Sequence, residues 1–237
     1  MRPEVAARLL ALNRDFYGGL AAPFADSRAQ PQPGFARLLP HLPRPCAAVL
    51  DVGCGNGRFG HFLSQEQPLA YTGVDFTAGL LERARQLLPD GVFLRGDMSQ
   101  AGFLEGLGAF DLVVCLAAMQ HVPGHANRAR LLRELAAHLR PGGRLFLANW
   151  QFMDSARQRR KVQPWSAVGL TASDVEPNDY LLTWRRSGFG LRYVCQVDAA
   201  ETAVLAAAAG LRILHQFRSD GQEGDLSLYT VLGAVLK

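Results

Sequence analysis

Apolar positions recur along the chain with two periods. Residues 4–20, "EVAARLLALNRDFYGGL", set Val5, Leu9, Leu12 and Phe16 on one face, which predicts a helix. A loop broken by Pro23, Pro31 and Pro33 follows. From Ala48 onward short apolar runs alternate with amphipathic stretches, the pattern of βαβ units. Strands are predicted at 48–52, 70–75, 92–97, 110–118 and 144–150. Helices are predicted from about Asn56, through "AGLLERARQLL", and over 127–140, where Leu131, Leu132, Leu135 and Leu139 form a core stripe ended by "PGG". Residues 151–190 read as an irregular insertion rich in Trp, Arg and Pro. A helix at 199–210 then leads into two adjacent strands, 211–220 and 226–236, joined by "GQEGD". The pattern predicts one α/β domain with a helical cap at 1–45 and an insertion at about 151–190.

Composition narrows this little. The 237 residues are 49% hydrophobic and 19% charged, enough for one sizeable core. A formal net charge of +4 allows an acidic partner without demanding one. Lys161 and Lys237 are the only lysines, so the arginine excess fits a coding bias and is weak evidence for any ligand. Cys46, Cys54, Cys115 and Cys195 lie far apart without metal-ligand spacing, which predicts neither disulfides nor a metal site and fits a reducing compartment. The first residues show no basic segment followed by an apolar stretch, and no apolar run approaches membrane-spanning length, so the expectation is a cytoplasmic, soluble protein with no membrane partner.

The stretch "AVLDVGCGNGRFG" carries the chemistry. Glycines at a strand-to-helix turn let the backbone approach a ligand that a Cβ would push away, and the helix N-terminus behind them offers free N–H groups. Asp75, ending the second strand, is placed to accept ribose hydroxyls. "GNGRFG" matches the dinucleotide pattern, a weak signal that leaves a nicotinamide cofactor open. The overlapping register "DVGCGNG" sets Asp51 two residues before Gly53, with Gly55 and Gly57 following. This register resembles motif I of the class I S-adenosylmethionine-dependent methyltransferases. "YTGVD", "GDM" (96–98), "FDLVVCLAAMQHV" and "LRPGGRLFLANW" resemble that family's later motifs, in order.

The resemblance implies a three-layer, Rossmann-like, doubly wound sheet of seven strands with a C-terminal antiparallel hairpin, occupying 46–237. It implies S-adenosyl-L-methionine as methyl donor, held by Asp51, Gly53, Gly55, Gly57, Asp75, Phe76, Asp97 and Met98. Cys115 and Leu116 either line the adenine pocket or pack the core. The flanks resemble the tRNA wobble-uridine carboxymethyl methyltransferases and their prokaryotic relatives, through Phe16 and Tyr17, Ser27 and Arg28, Pro164 and Trp165, and Arg192 and Tyr193. That likeness implies esterification of a carboxymethyl group on tRNA, with Tyr17 and Arg28 beside the donor. Two departures stand out: Gln120-His121 replaces a paired His-His, and Cys195 replaces a His.

A carboxylate nucleophile is ionised at pH 7 and requires cations to hold it in line. Arg28, Arg185 and Arg192 are candidates, and Arg28 serves equally as a clamp on the donor's own carboxylate. Trp150, Trp165, Tyr180 and Trp184 either stack on an acceptor ring or pack as core and lid. His121 is the candidate general base for a hydroxyl or amine acceptor, or a structural residue. "ARQRRK" at 156–161 reads as an RNA-guiding segment or a solvated basic face. The short insertion and the missing histidines admit a small-molecule acceptor. A third reading keeps the donor pocket in a partner protein, or in an enzyme with an activating subunit.

Overall fold

The computed structural model describes residues 1–19, 30–185 and 189–235. Helix α1 (Pro3–Gly19) buries Val5, Leu9, Phe16 and Tyr17, and the short α2 (Pro33–Leu38) starts on a proline at its first helical position. The alternating block then yields β1 (Ala48–Val52), α3 (Arg58–Glu66), β2 (Ala70–Asp75), α4 (Ala78–Leu87), β3 (Val92–Arg95), β4 (Phe110–Leu116), α5 (His125–Ala137) and β5 (Leu139–Trp150). The insertion runs past its expected end at 190 and carries β6 (Val162–Gln163), β7 (Asp179–Trp184) and β8 (Gly190–Cys195). Helix α6 (Ala199–Ala208), β9 (Leu211–Ser219) and β10 (Ser227–Ala234) complete the order.

Seven strands form one sheet in the order β3-β2-β1-β4-β5-β10-β9. The first five are parallel, and β10 runs antiparallel between β5 and β9. Leu50, Val113, Val114, Leu145 and Leu147 are fully buried, as a parallel sheet covered on both faces requires. Strand order reverses between β1 and β4, and ligands of open α/β sheets bind outside the strand ends at such a switch point.

The insertion differs from expectation. Instead of irregular chain it supplies a second, antiparallel sheet in the order β6-β7-β8. Leu181, Leu182, Tyr193, Val194 and Cys195 are all buried, so neither strand shows the polar-apolar alternation that marks a half-exposed one. One side of this small sheet packs Leu182 and Val194 on Trp150 and Phe152, while α1 lies along β8. The fifth strand also begins earlier than 144, because Leu139 already pairs with Phe110. Asp111 locks that corner, accepting the N–H groups of Ala47 and Ala48 and pairing with Arg140 at 3.0 Å. No helix among the described residues is long and apolar enough to cross a membrane.

Candidate functional site

The glycine turn after β1 opens a cavity at the switch point, roofed by α1 and α2. Gly53 and Gly55 adopt φ of +73° and +56°, conformations that disfavour a side chain. A Cβ on Gly53 would overlap the Ala118 methyl, whereas one on Gly55 would meet no atom within 4 Å and project into open space. That space is a cradle for a ligand lying against backbone. Ala117, also at positive φ (+56°), closes the opposite wall, a strained position of the kind that gathers at sites.

Three carboxylates face the cavity. Asp51 is 2% exposed and accepts the Tyr71 hydroxyl at 2.6 Å. Burial pushes its carboxyl up to about 7; the Tyr71 hydrogen bond counters this and the Asp75 charge adds to it. Asp75 bridges two turns, taking the Gly55 N–H at 3.0 Å and the Thr77 N–H at 2.8 Å. Its carboxyl is raised by burial, partly offset by these donors. Asp97 accepts the Ser99 backbone N–H at 2.9 Å and the Arg14 guanidinium at 2.6 Å. Burial pushes its carboxyl up, but the hydrogen bonds from Ser99 and Arg14 prevail and hold it below the usual range.

These residues fit the implied donor: acids for an ammonium, for ribose hydroxyls and for an exocyclic amine, around a backbone cradle. Binding therefore carries a pH dependence. Below about pH 7 Asp51 is protonated in the free protein, and a cationic ammonium binds best to its carboxylate. Affinity for S-adenosylhomocysteine is expected to fall by up to about tenfold per pH unit from 7 to 5.5 and to level off above 7. Calorimetric titrations at several pH values check this, and Asp51→Asn should flatten the profile.

At the inner end, His121 is 8% exposed and contacts the Tyr193 carbonyl through Nδ1 at 3.1 Å and the Tyr17 hydroxyl through Nε2 at 2.9 Å. A carbonyl only accepts, which assigns the proton of the neutral ring to Nδ1 and makes Nε2 the acceptor of the tyrosine O–H. Arg192, on β8 and 6% exposed, sets Nη1 3.5 Å from the same hydroxyl. Its Cζ lies 4.7 Å from the Trp150 ring centre, 5.2 Å from Phe16 and 5.6 Å from Trp184. It pairs with no carboxylate among the described residues, and its buried Nε has no hydrogen-bond partner. The guanidinium is thus a buried positive charge among aromatic rings, with donor capacity left over.

The structure thus gathers Tyr17, Asp51, Gly53, Gly55, Asp75, Phe76, Asp97, Met98, Leu116, His121 and Trp150 around one cavity, with Arg192 and Trp184 behind its wall and Gly57 at the start of α3. Other candidates fall elsewhere. Cys115 is fully buried in the main core, so Leu116 alone of that pair reaches the cavity. Tyr193 points to the face of β8 opposite Arg192, with no exposure and its hydroxyl on Asp179 at 2.6 Å. Trp165 packs against the main core, and Tyr180 packs edge-on to Phe152. Arg185 is exposed, and Ser27 and Arg28 lie outside the described residues. Gln120 and Cys195, the two departures, are buried, Cys195 in the main core; Gln120 accepts the Trp150 N–H at 2.6 Å.

Sequence reasoning missed Leu10, Asn13 and Arg14, which with Tyr17 form an i, i+3, i+4, i+7 stripe of α1 facing the cavity. Their mixed polarity gives no hydrophobic signal. Gln32, Phe35 and Arg58 were missed too, although Arg58 directly follows the glycine turn.

Residues 49–143 match the family described as "Methyltransferase domain". A putative methyltransferase of Encephalitozoon cuniculi is 30% identical over 217 residues, 92% of each chain. A trans-aconitate 2-methyltransferase of Deinococcus radiodurans is 40% identical over 51% of this chain and 43% of its own length, so the match spans less than half of that relative. One from Methylobacterium nodulans is 32% identical over 80% of this chain and 72% of its own length. In fold, an S-adenosylmethionine-dependent methyltransferase from Methanosarcina mazei superposes with a TM-score of 0.69 at 17% identity, over 88% of this chain and 100% of that one. Magnesium protoporphyrin IX methyltransferase from Synechocystis, with bound SAH, gives 0.63 at 17%, over 95% and 99%.

Proposed function

The chain belongs to the S-adenosylmethionine-dependent methyltransferases, and from that premise we propose that its methyl acceptor is a carboxylate of a small organic acid. The caged guanidinium of Arg192 carries this reading. It is a positive charge set just behind the cavity wall, 3.5 Å from the Tyr17 hydroxyl that lines it, where it attracts an ionised acceptor. Trans-aconitate, the acid named in several relatives, belongs to this class.

The donor, when bound, supplies an already activated methyl group. What remains for the chain is to hold the acceptor oxygen in line and to exclude water. Arg192 draws the carboxylate to the wall formed by Tyr17 and Trp150, and the aromatic rings around the guanidinium keep that end dry. A carboxylate carries no proton to remove, so no general base is needed. His121 then positions Tyr17 by accepting its O–H, and Tyr17 offers its oxygen to Arg192.

A carboxymethyl group on a tRNA wobble uridine is a second acceptor with the same chemistry. It is favoured by the flanking likeness and by exposed Arg157, Arg159 and Arg160 on the insertion that carries Arg192. Methyl-labelled S-adenosylmethionine, incubated with the protein and either trans-aconitate and related tricarboxylates or bulk tRNA, separates the two. Label on a small acid, released by mild base, is expected. Base-labile label on tRNA replaces it with the second reading, and base-stable label overturns carboxylate transfer altogether.

A further inference from the structure

The cavity holds three carboxylates, yet the donor that fits it also carries a carboxylate of its own. Placed among Asp51, Asp75 and Asp97 without a cation, that group would be repelled. Two arginines line the cavity among the described residues, Arg14 and Arg58. Arg14 is already paired, with its Nη2 2.6 Å from Asp97. Arg58 is not paired with an acid among the described residues. Its Nη1 donates to the Gln30 carbonyl and its Nη2 to the Gln32 side-chain oxygen, both at 3.1 Å, and its Cζ sits 5.3 Å above the Phe35 ring. The nearby Asp220 is engaged otherwise, accepting the Gly34 N–H at 2.9 Å and the Tyr229 hydroxyl at 2.7 Å. Two neutral acceptors leave N–H groups of the guanidinium for an anion.

We propose that Arg58 is the anchor for the donor's amino-acid carboxylate. It is the first residue of α3, immediately after Gly57, so the turn that cradles the donor also delivers the cation. Gln30, Gln32 and Phe35 hold the guanidinium in place from the roof of the cavity, so α2 and the glycine turn act together on one end of the ligand. The assignment is independent of which acceptor is methylated.

Two probes that differ only at this end test it. S-adenosylhomocysteine carries the amino-acid group; 5′-methylthioadenosine keeps the nucleoside and the thioether but lacks it. Arg58→Ala is expected to weaken S-adenosylhomocysteine binding by about 10- to 100-fold and to leave 5′-methylthioadenosine within about twofold of the parent protein. Arg58→Lys should recover part of the loss, since it restores charge without the planar fork. Arg58→Gln, which retains length and polarity, gives the same reading if the alanine variant does not fold. Equal weakening of both probes would mean that Arg58 only supports the roof, and unchanged binding of both would mean that another group holds the carboxylate. Either result overturns the proposal.

Discussion

Arg192→Ala is expected to lower kcat/KM for the carboxylate acceptor by about 30- to 1000-fold while leaving S-adenosylhomocysteine affinity within about threefold. Arg192 is 6% exposed and its guanidinium lies between three aromatic rings, where water screens its field little. Truncating one partner of such a desolvated pair costs about 2–4 kcal/mol, which sets the range. Arg192→Lys should recover only part, because an ammonium cannot offer two parallel N–H groups to one carboxylate. Thermal stability should move little, since removing the cation–π attraction also relieves a buried charge that has no counter-ion among the described residues. Steady-state kinetics with the acceptor varied, beside calorimetry with the donor product, makes the comparison. An acceptor kcat/KM within threefold of the parent would remove Arg192 from the clamp.

Asp75→Ala carries the second large effect, on the donor side. Its two oxygens take N–H groups from Gly55 and Thr77, which tie the glycine turn to the start of α4, and the carboxylate lines the cavity. Removing the carboxylate deletes the acceptor for a ribose diol and frees the turn that forms the cradle. Charge-assisted hydrogen bonds of this kind contribute about 1.5–3 kcal/mol, so S-adenosylhomocysteine affinity should fall by about 10- to 150-fold. Asp75→Asn should fall less, because one oxygen remains to accept. Because 5′-methylthioadenosine keeps the ribose, it should weaken in parallel, in contrast to its indifference to Arg58. Unchanged affinity for both probes would withdraw Asp75 from ribose recognition.

The parallel strands β1 to β5, the helices between them and the closing hairpin were legible because each element has its own period or its own turn. The small sheet of the insertion was not. Its strands are covered on both sides, and β6 is only two residues long, so no alternation survives to be read. The same distinction governs the candidate site. Gly53, Gly55 and Asp75 come from one strand-turn-helix unit and the strand beside it, and they meet in the structure as their spacing suggested. Arg14, Gln32 and Phe35 reach the cavity from elements that have no local reason to point there.

By itself, then, the sequence determined the backbone chemistry of the cradle: glycines where a positive φ is required, an acid two residues before them and another at the end of the next strand. Those features depend on neighbours within a few residues or on directly paired strands. Only the tertiary structure decided what each exposed-looking side chain faces. Arg192 and Tyr193 are neighbours in sequence, yet strand alternation sends one to an aromatic cage at the cavity and the other to a buried aspartate. Cys115 and Leu116 divide between core and cavity in the same way. A side chain's chemistry is written in its own residue, but its solvent exposure and counter-charges come from elements that fold against it from far along the chain.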